Sequence, residues 1–141
     1  MLNVQPHPTS WNFPLNQSTE TTRLIKSSDQ RWLSVLENYV LNRLPDQVPN
    51  VDELANIVYL SPRQFTRKMK SLTGTTPARF IKSIQLDIAR KLLYSDEDLT
   101  VSEVSYQCGY KYPSTFSSVF KEFYGISPSE IIAEKNELYY D

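Results

Sequence analysis

One cysteine, one histidine and three glycines among 141 residues narrow the chemistry open to this chain. A lone Cys108 excludes an internal disulfide framework and a zinc site built from several cysteines. His7, alone in a Pro-rich stretch, cannot form a His-based catalytic set. No apolar run reaches the length needed to span a bilayer. The N-terminus lacks the basic start and apolar block of a secretion signal. A soluble cytoplasmic protein without a membrane partner is therefore expected. A phosphate-binding glycine loop and a metal-ligand cluster are both missing, so neither an enzyme nor a cofactor is expected. Alternating strand-like patterns are missing as well.

Charge is nearly balanced, at a formal net −1, but unevenly placed. Residues 1–60 hold 4 cations and 6 anions, and residues 96–141 hold 3 cations and 9 anions. Residues 61–95 hold 8 cations (Arg63, Arg67, Lys68, Lys70, Arg79, Lys82, Arg90, Lys91) and the single anion Asp87. Fields act through distribution, so this middle block says more about partners than the total does.

Residues 1–28, rich in Ser, Thr, Asn, Gln and Pro, show no period and are expected to be a flexible tail or a linker remnant. Trp11 and Phe13 are unusual in such a segment. From Asp29 onward the pattern is helical. Trp32, Leu33, Leu36, Tyr39, Val40 and Leu44 form one apolar face, ended by Pro45. Asn50 and Glu53 are expected to form a capping box over a short helix with Leu54, Ala55 and Val58 inside. Ser61, Pro62 and Gln64 open the next helix, and Gly74 suits its left-handed stop. Thr76 and Pro77 start a long helix through Tyr94, burying Phe80, Ile81, Ile84, Ile88, Leu92 and Leu93. Thr100 and Glu103 cap another short helix. A helix from Tyr112 to Tyr124 stops near Gly125, and Ser127, Pro128 and Glu130 open the last one. The expected fold is all-α. Its parts are a first helix and helical pair (29–76), a linker helix (77–95), a second pair (96–135) and a C-terminal tail (136–141).

The two pairs are an internal repeat. Val51, Glu53 and Leu54 align with Val101, Glu103 and Val104. After one inserted residue, Pro62, Phe65, Met69, Lys70, Gly74 and Pro77 align with Pro113, Phe116, Phe120, Lys121, Gly125 and Pro128. Each unit has the layout of a helix-turn-helix, with small Ala55 or Ser105 where two helices cross and a turn four residues later.

In the first unit, Phe65, Met69 and Leu72 share one helix face, while Arg63, Thr66, Arg67 and Lys70 share the other. A recognition helix needs this division. Arg63 and Arg67 can offer paired donors to guanine O6 and N7. Lys68 and Lys70 suit phosphates, as do the free N–H groups behind Ser61. In the second unit the outward residues are Ser114, Thr115, Ser117 and Ser118, flanked by Lys111 and Lys121. Unequal halves are expected, the first supplying most base discrimination and charge. The linker helix, about 18 residues and roughly 27 Å long, approaches the spacing of successive major-groove faces, about 34 Å.

LANIVYLSPRQFTRKMKSLTGTTPARFI, then IQLDIARKLL, then VSEVSYQCGYKYPSTFSSVFKEFYGISPSEI closely resembles the DNA-binding domain of AraC/XylS-type bacterial transcription regulators, over residues 31–133. The resemblance implies seven helices, with two helix-turn-helix units joined by a long linker helix. It implies that the third and sixth helices enter adjacent major grooves of double-stranded DNA. The reading positions it implies are Arg63, Gln64, Thr66 and Arg67, then Ser114, Thr115, Ser117 and Ser118. RKMKSLTGTTPARFIKSIQL also resembles, more weakly, the output domains of hybrid two-component sensors. Three residues depart from the family pattern. Tyr59 replaces a common turn glycine, so an altered first turn is expected. Gln85 replaces an Arg that would supply a salt bridge or phosphate contact. Ser118 replaces a basic residue. With no companion sensor domain in this sequence, either a sensor domain missing from it or ligand-free action is expected.

Plainer readings stand beside these. A basic helix face is commonly only solvated surface. Cys108 reads as a small buried residue before a turn. Tyr and Phe at 106, 110, 112, 116, 120, 123 and 124 read mostly as core, Tyr112 being the best candidate for exposure. Asp96, Glu97 and Asp98 read as a solvated loop, and His7 as inert. The alternative function is a helical interaction module whose acidic C-terminal third docks on RNA polymerase, other transcription machinery or a sensor domain.

Overall fold

Proline, glycine and capping side chains divide the described residues into seven helices. A computed structural model describes the backbone of residues 27–140 and the side chains through residue 138. The expectations for His7, Trp11, Phe13 and the rest of residues 1–26 lie outside the described residues. The helices are α1 (Ser27–Arg43), α2 (Val51–Ile57), α3 (Pro62–Thr73), α4 (Pro77–Leu93), α5 (Val101–Gln107), α6 (Pro113–Tyr124) and α7 (Pro128–Tyr140). No strand occurs among the described residues. The all-α, seven-helix expectation holds over the described residues. Two ends differ: Ser27 and Ser28, expected in the leading tail, form the first turn of α1, and α7 runs to Tyr140 through residues expected as a tail. No described helix is long and apolar enough to cross a membrane.

The described chain divides into two compact units, residues 27–84 and 85–140, with the boundary inside α4. In the first, Leu33, Leu36 and Val40 of α1, Leu54 and Ala55 of α2, Phe65 and Met69 of α3, and Phe80, Ile81 and Ile84 of α4 are buried. Val58 and Leu72, expected inside, are only half-buried. In the second, Leu86, Ala89 and Leu93 of α4 form a core with Val104, Cys108, Phe116, Phe120 and Ile131. The Phe116 ring lies 5.7 Å from both Tyr110 and Phe120, and Phe120 lies 4.8 Å from Tyr124. Such tilted aromatic pairs add about 0.5–1.5 kcal/mol each beyond the area they bury. Helical spacing thus puts Phe116 and Phe120 inside, as expected, and leaves Tyr106 and Tyr112 outside.

The helix starts follow their sequence signals with one exception. Ser61 and Gln64 exchange side-chain bonds with each other's backbone N–H, at 3.2 and 3.1 Å. Thr100 with Glu103 and Ser127 with Glu130 do the same. At α2 only half the expected box forms. The Asn50 side chain accepts from Glu53 N at 2.8 Å, but the Glu53 carboxylate is approached by the Asn50 N–H without a well-formed return bond. It accepts instead from the Tyr39 hydroxyl and, at 3.2 Å, from Arg43 Nε, both on α1. Arg43 also lies over the Tyr39 ring at 4.2 Å. A carboxylate gains more from two donors, one of them cationic, than from one backbone N–H. The exchange fastens α1 to α2.

These bonds set an acid limit on stability. The Tyr39 hydroxyl foremost, with the Asn50 backbone and Arg43 assisting, holds the Glu53 carboxyl below the ordinary glutamate range. Backbone bonds at Thr100 and Ser127 do the same for Glu103 and Glu130. A depressed folded-state pKa gives stability that is full above the unfolded value and is lost as pH falls through the folded one. Thermal melts are therefore expected to drop as the pH passes below about 4.3. Glu53→Gln is expected to lower the melting temperature at neutral pH and make the acid-side drop shallower; an unchanged profile would contradict the assignment.

Candidate nucleic-acid interface

Helix α3 carries the division that its period foretells. Phe65 and Met69 are fully buried, while Arg63, Gln64, Thr66, Arg67 and Lys70 are exposed. Ser61 as N-cap, Pro62 at the first helical position and Gly74, left-handed at φ 73°, fix where this helix begins and ends. At 100° per residue, Arg63, Thr66, Arg67 and Lys70 lie on one stripe opposite the buried one. Gln64 stands beside the stripe, and its carbonyl oxygen is engaged in the cap.

Lys68 is placed differently. It turns toward α1, with its Nζ 4.7 Å from the centre of the Trp32 ring and 3.8 Å from Asp29 Oδ1. Trp32 in turn meets Phe65 at 5.6 Å. Its half-buried stem and shared charge join α3 to α1, an arrangement worth about 0.5–1 kcal/mol for the ring contact. The charge left to the outer face of α3 thus comes from Arg63, Arg67 and Lys70. Lys68 sits at one side of them.

On α6 the outward stripe is neutral. Ser114, Thr115 and Ser118 are exposed and Ser117 is half-buried, opposite the buried Phe116 and Phe120. Lys111 and Lys121 lie exposed at either end, Lys121 at 3.8 Å from Glu130 in an exposed pair of small energetic weight. The N-cap residue is Tyr112, which makes no side-chain cap bond, so the first N–H groups of α6 lack the closure that Ser61 gives α3. α3 therefore presents donors and positive charge, whereas α6 presents hydroxyls.

The turns before the two helices share one geometry. Tyr59 N donates to Asn56 O and Leu60 N to Ala55 O, at 3.1 and 3.0 Å; Gly109 N donates to Tyr106 O and Tyr110 N to Ser105 O, at 3.0 and 2.9 Å. Ala55 and Ser105 are both buried where the small residue was expected.

A helix-turn-helix domain model matches residues 54–134 of the chain. The probable transcriptional regulator LumQ of Photobacterium leiognathi is 32% identical over 104 residues, covering 74% of this chain and 41% of LumQ. The HTH-type transcriptional activator RhaS of Escherichia coli is 33% identical over 99 residues, covering 70% of this chain and 35% of RhaS. Among solved structures, a Chromobacterium violaceum regulator with an AraC-type DNA-binding domain superposes with TM-score 0.68 at 25% identity, over 77% of this chain and 96% of that one. The chain belongs to the AraC-type helix-turn-helix family. It spans about two fifths or less of the length of these curated relatives. The DNA-binding domain of AdpA, a global transcriptional factor, solved with a target DNA, is similar with TM-score 0.64 at 31% identity, over 72% of this chain and 89% of that one.

Two departures from the AraC-type pattern resolve physically. Tyr59 was expected to alter the first turn, yet it keeps the glycine conformation, with φ 59° against 91° at Gly109. The backbone bonds of the turn hold it there, at a cost of about 1–2 kcal/mol for an L side chain. Gln85 does not leave a gap where the family has Arg: it is buried and its Nε2 donates to Cys108 O at 3.1 Å, tying α4 to the end of α5. Cys108 itself is fully buried, and burial pushes its thiol up to about 12, which leaves it inert as a nucleophile. Asp96, Glu97 and Asp98 are exposed, and no metal-holding group of acids, His or Cys occurs among the described residues. Lys135 fastens this loop by donating to Ser95 O at 2.7 Å, a bond across 40 residues that no local pattern announces.

Proposed function

We propose that this chain is a sequence-specific, double-stranded DNA-binding regulator of transcription. It acts in the cytoplasm, by binding rather than by catalysis. α3 and α6 enter successive major grooves, with α3 dominant. The observation that carries this reading is the outer face of α3: two arginines, a threonine and a lysine stand free on a helix whose opposite face is locked into the core. Arg63 and Arg67 read guanine edges, and Thr66 and Gln64 contribute hydrogen bonds or methyl contacts. Lys70, Lys68, Lys111, Lys121 and the Ser61 end of α3 contact phosphates. Ser114, Thr115, Ser117 and Ser118 add weaker readout through hydroxyls and shape. The similarity to the AdpA domain, whose structure contains its target DNA, supports the same reading.

The test is a salt titration of binding to short duplexes. Log K is expected to fall linearly with log salt, by about 0.9 per phosphate contacted. Affinity that ignores salt, or no binding to any duplex at low salt, would overturn the proposal.

A further inference from the structure

Tyr59 is the most exposed large apolar side chain described, at 93%. It also occupies a left-handed backbone position that its counterpart Gly109 fills without strain. No burial of its ring offsets that strain. Strained residues held in place by their surroundings point toward function when packing gives no reason for them. The position is informative too: Tyr59 lies two residues before Ser61, the cap of α3. Tyr106 and Tyr112, the other tyrosines described as exposed, border the second turn in the same way, at 63% and 64%.

The surroundings favour an anionic partner. From Leu54 through Leu86 the chain has no acidic residue and six cations. The exposed residues within four positions of Tyr59 in the chain are Asn56, Ser61, Pro62 and Arg63, of which three are polar or cationic. A phenol in such a place supplies a hydroxyl donor and an aromatic body to phosphate and sugar, without adding charge.

We propose that Tyr59 contacts the sugar–phosphate backbone of the duplex that α3 reads, as an uncharged anchor beside the reading face. This rests on the DNA-binding reading above. The full chain is tested on a duplex selected by the wild-type protein and on a scrambled one. Tyr59→Gly and Tyr59→Asn both tolerate the left-handed position. Each is expected to weaken binding to both duplexes by the same factor, about tenfold. The salt slope stays unchanged, because no cation is removed. The melting temperature is not lowered, because strain is relieved. Tyr59→Phe is expected to show the same loss, which assigns it to the hydroxyl. Wild-type affinity in the Gly and Asn variants overturns the proposal, as does a loss confined to the selected duplex or one accompanied by a lower melting temperature. Failure of the wild-type chain to bind any duplex would instead strike the DNA-binding reading on which the proposal rests.

Discussion

Arg67→Ala is expected to weaken binding to the preferred duplex by about 1–3 kcal/mol, roughly five- to 150-fold, and to relax the preference at one base pair. Arg67 lies midway along the exposed stripe of α3, between the buried Phe65 and Met69. Those two anchors fix the direction in which the guanidinium leaves the helix. Alanine is the best helix former, so the substitution removes the fork without disturbing the helix. The melting temperature should therefore change little while discrimination falls. Competition between the preferred duplex and single-base variants measures both quantities. A loss of equal size on random DNA would show that Arg67 touches phosphate only. The comparison is sharpened by its neighbour Lys68, already engaged with Trp32 and Asp29. Lys68→Ala should shift stability and affect affinity uniformly, leaving base preference intact.

A larger effect, on stability, is expected from Phe65→Ala. The Phe65 ring is fully buried in α3 and lies 5.6 Å from Trp32 of α1. Truncating a buried phenylalanine costs about 3–5 kcal/mol, from lost burial and the cavity left behind. The total stability of a small domain is about 5–15 kcal/mol. Thermal unfolding followed by circular dichroism should thus show a large fall in melting temperature, and hydrogen exchange should show lost protection in α1, α2 and α3. Phe65→Leu, which keeps most of the volume, should cost much less. Because the same ring that fills the core aims the stripe outward, the alanine variant should lose base discrimination even below its melting temperature. A stable Phe65→Ala protein with unchanged discrimination would contradict the division of α3 into an anchoring and a reading face.

Local rules carried most of the fold into the sequence. Ser61 with Gln64, Thr100 with Glu103 and Ser127 with Glu130 act within four residues of each other, so their spacing alone announces them. Gly74 and Gly125 are left-handed helix stops that few other residues replace. The repeat made the two turns predictable as a pair. Contacts across long stretches of chain were not legible. Glu53 has the spacing of a capping residue, but Tyr39, 14 residues away, claims its carboxylate. Lys68 sits in a basic run, and nothing near it in sequence reveals that Asp29 and Trp32 will hold it. Gln85 reads as the loss of a charge until its bond to Cys108 is seen. For the interface, helical period was enough to separate the outward residues from the buried ones. It could not tell which cations remain free once α1 folds against α3.

Selection of bound duplexes from a random pool, followed by footprinting of the selected site with the full chain, tests the central claim most directly. Two protected blocks are predicted, centred about one helical turn, roughly 10–10.5 base pairs, apart, with strong base preference in the block read by α3 and weaker preference in the other. A single protected block, or a pool that enriches no sequence at low salt, would contradict it.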